Sequence, residues 1–359
     1  MICDISIMSG YVTLRDIVKR TGLSIATVSR GLRGSPCISA ASRAVVQQAA
    51  RELGYRVDPV LAALSAHRWH RRPVLAGSTL AALADGFLEG DGGMAGRAAT
   101  YGYRFEVFQI RDYPDPRRLA DVLYARGIQG VIVGQIRTLG FCAAFDWSRF
   151  TAVACSEGAE RPPVNLVMPN HFRAVQQAWD WAWDRGFRRI GLAIFDEPNA
   201  IDPQDRYAAL LGRQQRVPAA ERVPALAVKP WRGSRAAVNK PGPVLHGEAM
   251  QCMRAWMQGE RPDIVLGFND IFRWLLHDAG WRAPRWHAFV GLWIDNADPK
   301  ATGLRLQRDE LGRRAVDWLD LLLRSGERGV PEHPATMEIE FVWQDGAHPP
   351  RPARQPRRR

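Results

Sequence analysis

Apolar residues recur at helical spacing along the first part of the chain, and the spacing then shortens to that of strands. Leu14, Ile17 and Val18 stand at i, i+3, i+4 and predict one buried stripe of a short helix. Thr21-Gly22-Leu23 interrupts it. Ser24 is placed as the N-cap of a second helix, whose Val28 and Leu32 share an inner face, which leaves Ile25, Ala26, Ser29 and Arg30 pointing elsewhere. After the Ser35-Pro36 break, Ser39 caps a third helix with the stripe Val45, Val46, Ala49, Ala50, Leu53, and Gly54 stands where a left-handed C-terminal residue is expected. Asp58-Pro59 reads as N-cap plus first-turn proline of a small apolar helix carrying Leu61, Ala62, Ala63 and Leu64. Two short helices joined by a tight Gly-containing turn form the helix-turn-helix signature, whose second helix enters a DNA major groove.

From Val74 short apolar runs alternate with amphipathic stretches. Strands are predicted at 74–80, 103–110, 130–134 and 150–155, with helices near 92–101 and 117–126 between them. A second series follows: strands 189–194, 225–228, 263–268 and 287–294, with helices near 203–215, 247–258 and 270–279. A long helix 309–324 and a strand 336–343 complete it. Strand–helix alternation of this kind builds parallel sheets through right-handed crossovers, here two doubly wound lobes with helices on both faces.

Two segments carry a resemblance. TLRDIVKRTGLSIATVSRGL, followed by ISAASRAVVQQAARELGY, resembles the headpiece of the lactose/galactose-repressor (LacI/GalR) family of bacterial transcription regulators, TVSR included. The resemblance implies that Ile25, Ala26 and Arg30 face base edges and that Thr13, Ser24, Thr27, Ser29, Ser39 and Ser42 contact phosphates. Tyr55 joins this DNA-binding set, and 58–66 becomes a hinge helix with Leu64 as a wedge between minor-groove base steps. The hinge departs from the family's usual Pro-Asn opening, reading Val57-Asp58-Pro59, and Ile25 and Ala26 offer only apolar contact, for instance with thymine methyls. Over 75–346 the match is patchy, anchored by GIQGVIV, RGFRRIGLA, VLGFNDIFRWLLHDAG and ERGVPEHP, and it resembles the periplasmic-binding-protein-like effector core of the same family. That fold implies three passages between lobes, expected near 156–170, 293–303 and 330–336, and a ligand cleft beyond the strands' carboxyl ends. Residue by residue, Asn269 matches the family's effector-contacting Asn, and Arg206 an Arg that often binds sugar hydroxyls. Trp293 stands where the family usually has a hydroxyl-accepting Asp, and its face could stack on a pyranose ring or fill the pocket.

The charge is concentrated at the ends. Residues 1–72 hold eleven Lys and Arg against four acids, net +7, and 347–359 add five Arg, which together equal the whole chain's +12. A polyanion partner therefore belongs to the ends and not to the neutral middle. Five cysteines (3, 37, 142, 155, 252) show no CxxC pair and read as free thiols of a reducing cytoplasm. His67 and His70 have the only metal-like spacing, in a basic segment where solvent or phosphate contact is the plainer reading, so no metal and no cofactor is expected. No apolar run reaches the length of a membrane span, and no signal peptide is recognisable. GDGGMAG (90–96) could cradle an anion at a helix start but lacks GxGxxG spacing and a P-loop lysine. Trp179 and Trp183, four apart, read as packing, and 229–243 as a surface loop.

The expected organisation is an all-α helix-turn-helix headpiece (12–57), a hinge helix and linker (58–72), a two-lobed α/β core for effector binding and dimerisation (73–346), and a disordered basic tail (347–359). The expected function is a cytoplasmic transcription regulator, acting as a homodimer on a palindromic operator and controlled by a small molecule in the core. Its effector contacts would be Arg206, Asn269 and Trp293. No Ser elbow, HExxH or Walker motif supports an enzyme carrying such a headpiece. A non-specific architectural DNA-binding protein is the other alternative, which the large neutral core speaks against.

Overall fold

The computed structural model describes residues 14–32, 38–53, 55, 77–86, 88–155, 160, 162–196, 201–229, 247–268, 270–281, 288–294, 300–347 and 349–351, without the side chains of Ala26 and 201–203. The chain divides into two compact units, 1–73 and 74–359.

Three helices make the first unit: α1 Leu14–Thr21, α2 Ile25–Leu32 and α3 Ala40–Leu53. Ile17, Val28, Val46, Ala49 and Ala50 form its core, flanked by Leu14, Val18, Leu23, Leu32, Leu53 and Tyr55. Val45, expected in the α3 stripe, is instead 50% exposed. The inner face takes 46, 49, 50 and 53, and position 45 lies one helical step outside that arc. The fourth helix, Gly54 and the hinge lie outside the described residues.

In the second unit the elements are β1 Thr79–Ala84, α4 Asp91–Thr100, β2 Arg104–Gln109, α5 Pro116–Ala125, β3 Gly130–Val133, α6 Phe141–Ala144, β4 Thr151–Cys155 and β5 Asn165–Pro169. Then come α7 His171–Asp184, β6 Ile190–Phe195, α8 Ile201–Gln214, β7 Leu226–Val228, α9 Gly247–Glu260, β8 Ile264–Gly267, α10 Asp270–Asp278 and β9 Phe289–Ile294. Last are β10 Gly303–Arg305, α11 Arg308–Ser325, β11 Thr336–Ile339 and β12 Val342–Gln344. They build two six-stranded sheets, ordered β11-β5-β4-β3-β1-β2 and β12-β10-β9-β8-β6-β7. Both carry the same doubly wound order with one added outer strand. Every pairing is parallel except β10 with β12.

Strands buried on both faces explain the near-continuous apolar runs. In β1, Ala81 and Leu83 enter one core of the first lobe while Leu80, Ala82 and Ala84 enter the other. This strand was expected at 74–80. It lies later because LAALA, which by composition favours a helix, has residues small enough to be covered on both sides, and tertiary context overrides propensity.

The lobes exchange elements. α7 follows β5 of the first sheet, yet Ala174, Val175, Ala178 and Trp179 enter the second lobe's core. α11 follows β10 of the second sheet, yet Leu311, Ala315, Val316 and Leu319 cover the first. The chain therefore passes between lobes at Asn170, at Leu306-Gln307 and at Glu340-Phe341. The last two passages lie later than expected, and the range 156–170 holds strand β5 before its passage. The run 336–343, expected as one strand, is two, one in each sheet. Unbroken alternation cannot show where a chain changes partners. Among the described residues no helix is long and apolar enough to cross a membrane.

Candidate functional site

The first unit presents a helix-turn-helix whose geometry follows from a few local bonds. Gly22 adopts φ 69°, a left-handed conformation suited to glycine, and donates its N–H to the Val18 carbonyl at 2.8 Å, ending α1. Ser24 Oγ accepts from Thr27 N at 3.2 Å and lies 2.9 Å from Thr27 Oγ1, capping α2. Ser39 Oγ accepts from Ser42 N at 3.1 Å and donates to Ser42 Oγ at 2.9 Å, capping α3. Val28 is fully buried, and a Cβ at Gly31 would come within 2.8 Å of Val46 Cβ, so α2 is held close against α3.

That docking leaves the outer side of α2 to solvent. Ile25 is 53% exposed, Ser24 and Arg30 are exposed, and Thr27 and Ser29 are half-buried. Ser39 is exposed, and Ser42 and Tyr55 are half-buried. Ala26 lies in α2, and its side chain is outside the described set, as are Thr13 and Leu64. An exposed isoleucine and an exposed arginine on one short capped helix offer one apolar and one charged contact to a groove.

In the second unit the carboxyl ends of the second sheet converge with the passages. Arg206 on α8 is only 1% exposed, so it is no solvated surface arginine. It donates through Nη2 to His171 Nδ1 at 2.7 Å and lays its guanidinium 4.2 Å over the Phe268 ring. Since arginine only donates, Nδ1 accepts and the imidazole is neutral. Burial, then the Arg206 charge, holds the His171 pKa well below its ordinary value. His171 stacks on Trp293 (centroids 6.1 Å, 16°) and tilts against Phe341 at 5.8 Å. Trp293, half-buried, meets Phe268 and Phe341 edge-on at 5.7 and 6.1 Å. The indole thus packs into a ring cluster drawn from the end of β8 and from the first and third passages.

The second passage contributes Arg308. Its guanidinium lies 6.0 Å from the Trp293 ring centre, and its Nε is 3.0 Å from the carboxylate of Glu89, which is 6% exposed in the first lobe. Asn170 joins the other two passages: Nδ2 donates to Glu340 Oε1 at 3.2 Å, while Oδ1 caps α7 by accepting from Arg173 N at 2.9 Å. Sequence reasoning missed His171, Phe341, Arg308 and Glu89. His171, Arg308 and Phe341 flank the three lobe passages, which show only once the ends of β5, β10 and β11 are placed, and Glu89 stands in the connection between β1 and α4. Asn269 lies outside the described residues.

GDGGMAG takes a packing role. A Cβ at Gly90 would meet the Arg308 carbonyl at 2.5 Å, one at Gly93 would strike the Asp309 backbone, and one at Gly312 the Gly90 carbonyl. The glycines let α4 and α11 cross backbone to backbone. Among the described residues Cys142 and Cys155 are buried and Cys252 exposed, all as free thiols, with Cys142 pushed up to about 12 by burial and the neighbouring Glu160. No group of three His, Cys, Asp or Glu among the described residues could hold a metal. His67, His70 and the tail beyond Arg351 lie outside the described set.

Comparison with known proteins bears on both units. The family model of bacterial regulatory proteins, lacI family, matches residues 13–58. The HTH-type transcriptional regulator GntR of Pseudomonas aeruginosa is 39% identical over 67 residues, 19% of this chain and 20% of that protein, so the likeness spans about one fifth of this curated relative. The lac repressor dimer bound to operator and the anti-inducer ONPF shares the fold with a TM-score of 0.52 at 18% identity, over 94% of this chain and 98% of that one. The transcriptional regulator CelR in complex with cellobiose gives 0.51 at 20%, over 93% and 100%. A putative transcriptional regulator of the LacI family from Rhizobium etli gives 0.55 at 16%, over 75% and 98%.

The first unit is a helix-turn-helix DNA-binding domain, and the second a two-lobed core of periplasmic-binding-protein-like fold. That DNA-binding domain belongs to the lacI family of bacterial regulatory proteins, as the TVSR-containing segment implied.

Proposed function

We propose that this chain is a cytoplasmic one-component transcription regulator that binds a palindromic operator as a homodimer and changes its hold on DNA when a small molecule occupies the cleft of the core. The observation that carries the reading is the joining of a lacI-type DNA-binding domain, with Ile25 and Arg30 exposed on its second helix, to a core whose strand ends and three passages meet at Arg206, His171 and Trp293. Two-fold symmetry would set two such helices in successive major grooves. Thr13, Ser24, Thr27, Ser29, Ser39, Ser42 and Tyr55 would position the domain on the backbone, Ile25, Ala26 and Arg30 would read base edges, and Leu64 would wedge the operator centre. In the core, Arg206, Asn269 and Trp293 would face the effector. Occupancy coupled to DNA affinity is typically worth about 1–3 kcal/mol.

The test is selection from a genomic fragment library with the purified full chain at physiological salt. A short enriched palindrome is the expected result. Binding with no enriched sequence would overturn this reading in favour of charge-driven architectural binding.

A further inference from the structure

One cation reaches both Trp293 and the first lobe. Arg308 is the first residue of α11 and follows the second passage directly. One side of its guanidinium chemistry is spent on Glu89, 3.0 Å away in the first lobe at the foot of α4, and its cationic face lies 6.0 Å from the Trp293 ring of the second lobe. Glu89 is 6% exposed and the Arg308 side chain 26%, so the pair is shielded from the solvent screening that empties surface pairs of energy. Helix α4 begins two residues after Glu89 and is crossed backbone to backbone by α11 through Gly90, Gly93 and Gly312. The backbone of Arg308 is therefore packed directly against the start of α4.

Trp293 itself is already furnished with neighbours: His171 stacked, Phe268 and Phe341 at its edges, Arg308 over the ring. A flat or ring-shaped ligand that stacks on the indole where Arg308 lies over it takes the place of the guanidinium. His171 is 2% exposed and held by Arg206, whereas Arg308 is the more accessible of the two.

We propose that Arg308 is the residue through which the cleft reports to the first lobe: a ring stacking on Trp293 displaces the guanidinium, and the loosened Arg308–Glu89 pair releases the start of α4. This deepens the reading of the core as an effector-binding module and rests on it. The linked element is a pair of contacts on one side chain, so the coupling is reciprocal: disturbing either end is felt at the other.

Hydrogen exchange followed by mass spectrometry on the full chain tests it without DNA or ligand. Trp293→Leu should raise exchange about 5-fold in a peptide covering 88–100, although no described contact joins Trp293 to that helix, and Glu89→Gln should do the same for 289–294. In an Arg308→Met background both transmitted effects should vanish. Exchange unchanged at the far end, or a transmitted effect that persists without Arg308, would overturn the proposal. Trp293→Leu empties space in a packed cluster, and if exchange also rises across 130–133 the isosteric Glu89→Gln decides alone. A chain that selects no operator would leave this result standing, and a regulator lacking the coupling would still select its operator.

Discussion

The DNA-binding unit and the core treat their chemistry in opposite ways. On α2 the candidate contact residues lie outside the core: Ile25 is 53% exposed and Arg30 is exposed, while Ile17, Val28 and Val46 are buried beneath. In the core the candidate groups are the fold, with Arg206 and His171 at 1% and 2% exposure. Altering the first kind of residue should cost binding and leave folding alone. Altering the second should cost folding first, so a loss of response in a core variant means little until its stability is known.

Four measurements sharpen or break that contrast. The largest effect is expected deep in the first lobe, where Asp320 accepts from Tyr103 Oη at 2.8 Å and pairs with Arg324 at 2.6 Å, the latter side chain only 9% exposed. Asp320→Ala removes the buried carboxylate that Tyr103 and Arg324 share and should lower the core's stability by about 3–5 kcal/mol in denaturant unfolding. An unshifted core transition would show the network to be dispensable. Arg30→Ala should cost about 1–3 kcal/mol of specific DNA affinity and relax one base position per half-site, with unfolding unchanged. Equal loss on every sequence would demote Arg30 to a backbone contact.

The third effect is a pH dependence. His171 is held neutral, with its pKa well below the ordinary 6.5. The unfolded chain therefore takes up a proton that the folded core refuses. This stability is fully present above pH 6.5 and declines as pH falls from there toward the folded value. The slope is at most about 1.4 kcal/mol per pH unit. His171→Gln, titrated beside the parent by thermal unfolding, should remove that slope, and an identical profile in both would mean that other groups set the acid limb. The smallest effect is expected at Ser24→Ala, which removes the α2 cap and should cost the DNA-binding unit about 1 kcal/mol, read by helical circular dichroism on heating.

The same contrast governs what could be read in advance. Helix ends in the DNA-binding unit are fixed within a few residues, by Ser24, Ser39 and Gly22, and all three helices were legible, Val45 being the one stripe position misplaced. The cluster of Arg206, His171 and Trp293 is built from residues far apart in sequence. Arg206 and Trp293 were found through resemblance, but their partners His171, Phe341 and Arg308 depend on where the chain leaves each sheet. β5, NLVMP, is short and bounded by Asn and Pro, and β10 has three residues, too few to show a period. GDGGMAG was left open for a related reason: glycines that admit an anion and glycines that admit a second helix look alike until the second helix is seen.

The exchange of elements between the lobes sets the order in which this protein can be made. The first sheet needs β11 at one margin, and one of its faces is covered by α11. Synthesis proceeds from the N-terminus, so the DNA-binding unit, which depends on contacts within 14–55, can close early. The first lobe begins at residue 79, but one of its faces lacks α11 until 325 and its sheet lacks β11 until 339, after nearly all of its sister lobe has emerged. A chain that stalls before residue 308 would leave the ribosome with a finished DNA-binding end and two unfinished lobes, and quality control would meet it as exposed apolar sheet.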